Sequence, residues 1–205
     1  MNAFTAIEQN KLALQLMPIS VRELLYLNEC PCNVYTMLDS IYNLTLKKGA
    51  FLTNQVLKDL IQNNNAKIFV KHEDRLNIIS QQQDNLRQVT RSLSIGDPLE
   101  KGRKQINLLT INMRYLYENP TNDETLNLQF QSVRNLASFL LKHPNLHEPL
   151  YNHYLRQKHH FIFAQPLLSS LFVLGLLKQS HLYSDREIEQ FFLTSYFKDV
   201  GMSAI

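Results

Sequence analysis

The sequence predicts an α+β protein, in which a small N-terminal α/β module precedes an all-α helical bundle. Segments that alternate between apolar and polar residues lie before about residue 80, and the pattern after Gly96 is helical throughout. The composition is that of a folded protein, with 44% hydrophobic and 19% charged residues over 205 positions. We therefore expect a module at 1–80, a connecting helix at 81–96 and a bundle at 97–205.

The first predicted element of the module is a β-hairpin. Residues 33–38 alternate and favour β structure, and residues 42–46 alternate again. Asp39 and Ser40 lie between the two segments and have the residue types that turns prefer. The spacing of two residues predicts a tight connection between paired strands.

A helix and a short strand are predicted to complete the module. Thr53 is a suitable N-cap, and residues 66–70 have the composition of a strand. The apolar face of the helix is expected to hold Val56, Leu57, Leu60 and Ile61. The polar stretch that follows carries a narrow apolar stripe and predicts the connecting helix.

The bundle is predicted from apolar residues at helical spacing between clear stop signals. Asn119-Pro120 and His143-Pro144 end its first two helices, and two further helical segments span 146–155 and 166–177. Ser184 and Glu187 form a capping box that opens a last helix. The buried side of that helix is expected to hold Ile188, Phe191 and Phe192.

Charge and hydropathy exclude several classes of protein. The chain has 21 Lys and Arg against 18 Asp and Glu, and the small excess is spread along its length. A nucleic-acid binder gathers positive charge on one face, so we expect no DNA binding. The first ten residues lack the pattern of a secretory signal. The apolar stretch 161–177 contains polar residues and predicts a buried core helix, not a membrane span, in a cytoplasmic protein.

The two cysteines, Cys30 and Cys32, flank Pro31. Two are too few for a disulfide framework, and the count fits a reducing compartment. We interpret both as structural thiols.

No short catalytic motif is evident, and histidine is the remaining candidate for chemistry. The sequence has no Gly-rich phosphate loop, GxSxG elbow or HExxH motif. Glu148 lies within a segment of 14 residues that also contains His147, His153, His159 and His160. A metal needs ligands that converge from facing elements, so a local cluster is more simply a solvated helix end.

The C-terminal segment carries the most informative pattern. It begins with Gln165-Pro166-Leu167-Leu168, continues through an apolar helix, and ends in Lys198-Asp199-Val200-Gly201-Met202. This pattern resembles the start of an HD-GYP domain, the family of metal-dependent phosphodiesterases that cleave cyclic di-GMP. In that family a His opens one helix, and a later His-Asp pair is followed by Ile-Gly. Gln165 stands 33 residues before Lys198, so Gln165, Lys198 and Asp199 correspond to the family's metal ligands.

The N-terminal part adds to the resemblance. Residues 32–35, the Lys-Lys-Gly turn at 47–49 and residues 67–74 resemble the small module that precedes HD-GYP domains in some bacterial proteins. A different register, with His159 or His160 as the first ligand, requires an insertion of five or six residues. Those two histidines and Asp199 are the remaining metal candidates.

The resemblance implies a site that has lost its chemistry. HD-type enzymes use His nitrogens and an Asp to hold two Fe or Mn ions, which activate a water molecule. Lys198 is an ammonium without a lone pair, and Gln165 is a poor substitute for imidazole. The family's later His ligands and its Gly-Tyr-Pro loop would lie beyond Ile205. We expect a degenerate and truncated member with no catalytic residue and no cofactor.

Three functions follow from these observations. The first is an inactive HD-GYP-related protein of cyclic di-GMP signalling that acts as a binding or regulatory scaffold. The second is the N-terminal fragment of a metal-dependent cyclic di-GMP phosphodiesterase. The third is a protein-interaction module, unrelated to nucleotides, that uses the apolar face of the last two helices. The candidate partners are cyclic di-GMP, another protein and a second copy of the chain, whereas the ligand-binding residues stay unidentified.

Overall fold

The computed structural model of the chain describes residues 3–64 and 67–200. The chain divides into two units, residues 1–82 and 83–205, and the division falls inside helix α3 (Arg75–Arg91). The predicted fold class is confirmed, because the strands of the described residues all precede α3 and the elements after it are helical. The expected connecting helix at 81–96 overlaps the second half of α3 and the turn that follows it.

An antiparallel sheet of four strands forms the framework of the first unit, with the strand order β1-β4-β2-β3. The strands are β1 (Leu16–Ser20), β2 (Val34–Leu38), β3 (Ile41–Leu46) and β4 (Lys67–Lys71). Position 66 of the predicted last strand lies outside the described residues. The predicted hairpin is confirmed: Asp39 and Ser40 have φ values of 48° and 63°, which a two-residue hairpin turn requires.

Helix α1 (Ala3–Gln15) and strand β1 were not predicted from the sequence. β1 contains Pro18, which has no N–H to donate and is tolerated because β1 lies at an edge of the sheet. Gln9 of α1 contacts the opposite edge. Its Oε1 accepts a hydrogen bond from the Tyr42 N–H at 2.8 Å, and its Nε2 donates to the Tyr42 carbonyl at 3.4 Å. The Gln9 amide therefore pairs with edge strand β3 as a neighbouring peptide would.

The core of the first unit collects side chains from the sheet, from α2 (Asn54–Asn64) and from α3. Thr53 caps α2 as predicted, since its Oγ1 accepts a hydrogen bond from Val56 N at 3.3 Å. Leu57 and Leu60 are buried, but Ile61 is 43% exposed, so the predicted apolar face is too wide. Cys30 and Cys32 are free thiols within this core. A fully buried aliphatic side chain contributes about 1.5–3 kcal/mol.

A buried ion pair joins α3 to the short 3-10 helix Val21–Leu24. The Arg75 guanidinium contacts the Glu23 carboxylate, and both side chains are at most 8% exposed. Gln82 Nε2 donates to the carbonyl oxygens of Glu23 and Leu25, at 2.7 Å each. The buried charges of Arg75 and Glu23 are therefore paired with each other, as burial demands.

Within residues 83–200, the helical unit contains the end of α3 and five further α-helices. These are α4 (Pro98–Glu118), α5 (Asp123–Lys142), α6 (His147–Arg156), α7 (Phe161–Ser180) and α8 (Asp185–Phe197). Asp97 caps α4 by accepting a hydrogen bond from Leu99 N at 2.9 Å. The predicted capping box of α8 is confirmed: Ser184 N donates to the Glu187 carboxylate at 2.8 Å, and Glu187 N donates to Ser184 Oγ at 3.4 Å.

Two expectations for the last helices need correction. Phe191 was expected on the buried side of α8 but is 46% exposed, whereas Ile188 and Phe192 are buried. α7 was expected to be a buried core helix, but only one side of it is buried, and Phe172 and Leu176 are 62% and 58% exposed. The reason is that α7 is apolar on all sides, so its sequence does not mark which face packs against the bundle.

Candidate functional site

Lys198 and Asp199 follow directly on the last turn of α8. Lys198 Nζ lies 3.9 Å from Asp199 Oδ2, and the two side chains are 48% and 32% exposed. Burial and, to a lesser extent, the charge of Asp199 raise the pKa of Tyr117 of α4, so this carboxylate lies within electrostatic range of that helix. Gly201 and Met202, which continue the sequence motif, lie outside the described residues.

Gln165 is half-buried in the second turn of α7. Two contacts define how α7 and α8 pack: Ser170 Oγ donates to the Phe192 carbonyl at 3.0 Å, and Lys178 pairs with Asp185 at 2.8 Å. These contacts give an antiparallel hairpin in which Gln165 lies level with the end of α8. This register therefore places Gln165, which the resemblance aligned with the family's first His, at the same end of the hairpin as Lys198 and Asp199.

The two histidines that precede α7, His159 and His160, have other neighbours. His159 Nε2 lies 3.3 Å from Asn107 Oδ1 of α4, and its ring centroid is 4.9 Å from that of Tyr154. His160 stands just before α7, and its ring lies 5.5 Å from the Phe163 ring. His159 thus has a polar and an aromatic neighbour and His160 an aromatic one, and the contacts of the two rings do not form a shared metal-binding geometry.

The remaining histidines of the cluster are also separated. His147 Nε2 lies 2.6 Å from the Leu171 carbonyl oxygen, and this hydrogen bond links α6 to α7. His153 Nε2 lies 3.3 Å from Nε2 of Gln157, the residue that follows the end of its own helix. Burial, and then the positive charge of Arg103, lower the pKa of His153. The crowding of histidines in the sequence does not become a cluster in space.

The donor set at the end of the hairpin does not fit a two-metal centre. Lys198 offers an ammonium, Gln165 an amide and Asp199 the one carboxylate. A cation at this place would have to displace the Lys198 ammonium from Asp199. Within residues 3–64 and 67–200, no three His, Cys, Asp or Glu side chains are grouped closely enough to hold a metal ion.

A buried hydrogen-bond network lies behind the last turn of α8. Gln129 is fully buried; its Nε2 donates to the Leu109 carbonyl at 3.0 Å and to the Tyr196 hydroxyl, and its Oε1 accepts from Asn112 Nδ2 at 2.7 Å. Burial raises the pKa of Tyr196 well above its usual value. The network joins α4, α5 and α8. The sequence pattern did not predict this network, although amides at core positions of a helical pattern are a usable signal.

Helix α7 alone, among the described helices, is long and apolar enough to cross a membrane by length and composition. One third of its most apolar window, 33%, is buried against the rest of the chain. Its Leu167, Leu171 and Leu174 pack inside the helical unit. The helix therefore serves as a packing element of the bundle in this structure.

Comparison with known proteins yields a likeness of fold. No family model matches the chain. No curated protein matches it either. A solved structure with a similar fold is Bd1817, an HDG"Y"P protein from Bdellovibrio bacteriovorus, with a TM-score of 0.58 and 16% sequence identity. The alignment covers 91% of this chain and 60% of Bd1817, so the chain spans about three fifths of that protein.

Proposed function

We propose that this chain is an HD-GYP-related protein of cyclic di-GMP signalling that does not hydrolyse the nucleotide and acts as a binding or regulatory scaffold in the cytoplasm. The shared fold with Bd1817 supports the relationship. The loss of catalysis is inferred from the end of the α7–α8 hairpin, where the resemblance puts the metal ligands.

The observation that carries the proposal is the contact between Lys198 Nζ and Asp199 Oδ2 at 3.9 Å. An ammonium repels a divalent cation and has no lone pair to coordinate it. The single carboxylate is thus balanced by an internal cation. Gln165, level with this pair, adds a neutral amide in place of an imidazole.

A second candidate function is protein interaction, favoured by the exposed face of α7. Phe161, Phe172 and Leu176 are 69%, 62% and 58% exposed on a helix without a charged residue before Lys178. Exposed apolar patches of this kind mark binding surfaces. The partner would be another protein or a second copy of the chain.

Metal content and turnover test the scaffold proposal. The purified chain is incubated with Fe(II) or Mn(II), desalted, analysed for bound metal, and assayed for hydrolysis of cyclic di-GMP. We expect less than one tightly bound ion per chain, no turnover, and heat of binding when cyclic di-GMP is titrated in a calorimeter. Stoichiometric metal with turnover would instead identify the chain as part of an active phosphodiesterase. No heat with cyclic di-GMP, and a concentration-dependent increase in mass, would favour the interaction module.

A further inference from the structure

A groove of about 700 Å³ lies along the seam between α3 and α5 in the helical unit. Ligand pockets in proteins commonly measure about 300–1,000 Å³. The residues that line the groove come from these two helices alone: Arg87, Thr90, Arg91, Glu124, Asn127, Leu128, Gln131 and Ser132. The groove is separate from the end of the α7–α8 hairpin, and neither the metal site nor the resemblance involves it.

The floor of the groove is fixed by hydrogen bonds. Thr90 Oγ1 donates to Ser132 Oγ at 3.0 Å, and about two turns earlier Gln83 Nε2 donates to Thr125 Oγ1 at 2.8 Å. Both pairs have a sequence separation of 42, so α3 and α5 run parallel in one register. From below, the fully buried Gln105 donates to Thr90 Oγ1 at 3.3 Å and to the Ser132 carbonyl at 3.1 Å. These contacts preorganise the groove.

The two walls carry complementary chemistry. On α3, Arg87 and Arg91 are four residues apart and share a helix face. On α5, Asn127 and Gln131 have the same spacing, with Leu128 between them. The guanidinium fork matches the oxygens of a phosphate. Asn and Gln amides match the donor and acceptor edge of adenine, and an aliphatic surface suits the face of a base.

Of the two arginines in the groove, Arg91 is the one whose charge is available to a ligand. Arg87 Nη1 lies 2.7 Å from Asp84 Oδ1, and Arg87 Nη2 lies 2.5 Å from Glu124 Oε1, so two carboxylates neutralise this guanidinium. Arg91 is exposed and makes no ion pair with any residue that the structure describes. A single anionic group can therefore bind at Arg91 without displacing an internal carboxylate.

We propose that the α3–α5 groove binds an adenine nucleotide with one phosphate group. Arg91 holds the phosphate, the amides of Asn127 and Gln131 bind the edge of the base, and Leu128 supports its face. The inference requires no metal and goes beyond the scaffold function, because it stands whether or not cyclic di-GMP binds to this chain.

Calorimetric titration of the full chain tests the ligand class. The probes are AMP, adenosine, GMP and inorganic phosphate, each at the same ionic strength. AMP is expected to bind about tenfold or more tightly than each of the others, since only AMP satisfies both walls. An affinity for phosphate equal to that for AMP would show that the groove binds an anion without recognising the base, which would contradict the proposal. Absence of AMP binding would overturn the proposal outright.

Two variants with opposite expected effects assign the binding to this groove. Arg91→Ala should weaken AMP binding about tenfold or more, because it removes a charged hydrogen bond. Glu124→Gln should tighten it, because it removes a negative charge from the groove and leaves Arg87 paired with Asp84 alone. Arg186→Ala removes an exposed arginine from α8 and is the matched control, with an affinity expected within about twofold of the wild type. Equal weakening by Arg91→Ala and Arg186→Ala would overturn the assignment; circular dichroism checks that each variant is folded.

Discussion

The imidazole of His147 lies against Gly175, where a Cβ atom would stand 2.8 Å from His147 Cε1. The same ring places its Nε2 2.6 Å from the Leu171 carbonyl oxygen. The absence of a side chain at position 175 therefore lets α6 approach α7 closely enough for this contact. The two helices are fastened by a ring that fits into a gap in the surface of α7.

Gly175→Ala is expected to lower the free energy of unfolding by about 1–3 kcal/mol, because the added methyl group overpacks the contact. The change also removes a helical glycine, which alone would stabilise α7 by about 1 kcal/mol. In a His147→Ala background the second effect should dominate, so the same substitution becomes neutral or stabilising. Urea unfolding of the four chains of this double-mutant cycle measures the difference. Equal effects in both backgrounds would show that the ring does not oppose the methyl group.

Replacing Gln165 and Lys198 together by histidine is expected to increase binding of Co(II). The change removes the ammonium beside Asp199 and adds two imidazoles at the same end of the hairpin. Absorption of the bound Co(II) in the visible range measures the uptake. Lys178→His is the matched control, since Lys178 pairs with Asp185 at the opposite end of the same hairpin. Uptake no greater than in this control would mean that the three positions do not converge.

Tyr196→Phe is expected to change stability in two distinct ways. At neutral pH it removes a buried hydrogen bond with Gln129 and costs about 0.5–1.5 kcal/mol. Burial raises the pKa of the folded-state phenol, so its contribution is complete below the unfolded pKa of about 10 and declines as the pH rises above that value. The variant should therefore lose stability less steeply than the wild type above pH 10.

Unfolding curves between pH 7 and pH 11 check this behaviour, with the exposed Tyr183→Phe as a control. The control should follow the wild type over the whole range. A Tyr196→Phe curve parallel to that of the wild type above pH 10 would contradict the expected linkage.

Arg75→Met is expected to destabilise the first unit by about 3–5 kcal/mol, because it leaves the Glu23 carboxylate buried without its counter-charge. Adding Glu23→Gln should recover part of this loss by removing the unpaired charge. Lys71→Met disrupts the exposed pair with Glu73 and should cost about 0–1 kcal/mol. Chemical denaturation compares the variants. Similar losses of stability for Arg75→Met and Lys71→Met would show that the buried ion pair contributes no more to stability than the exposed one.

The elements that the sequence predicted correctly depend on local chemistry. Asp39 and Ser40 can adopt the left-handed conformation of a tight hairpin, and Ser184 with Glu187 caps a helix through residues three apart. β1 was missed because Pro18 indicates a break, and only its place at the sheet edge permits a strand there. Phe191 was misplaced because helical periodicity cannot decide between adjacent aromatic residues at the margin of a buried face.

Only part of the candidate site could be predicted from the sequence. The resemblance identified Gln165 and Lys198 as positions that correspond to the family's ligands, but only the register of α7 and α8 brings them to the same end of a helical hairpin. The histidine cluster was also evident in the sequence. Its members are separated in space because they contact residues distant in sequence, such as Asn107 and Leu171. The α3–α5 groove requires two helices from separate parts of the chain to run parallel, and no local pattern specifies that arrangement.

The pairing of Gln9 with Tyr42 has a practical consequence for shortened forms of the chain. Unpaired peptide groups at the rim of a sheet are templates for intermolecular strand addition, a common start of aggregation. The Gln9 amide occupies both backbone hydrogen-bonding groups of one residue on β3, Tyr42. Removing residues through Gln9 would expose these two groups, so we expect a chain shortened in this way to aggregate more readily.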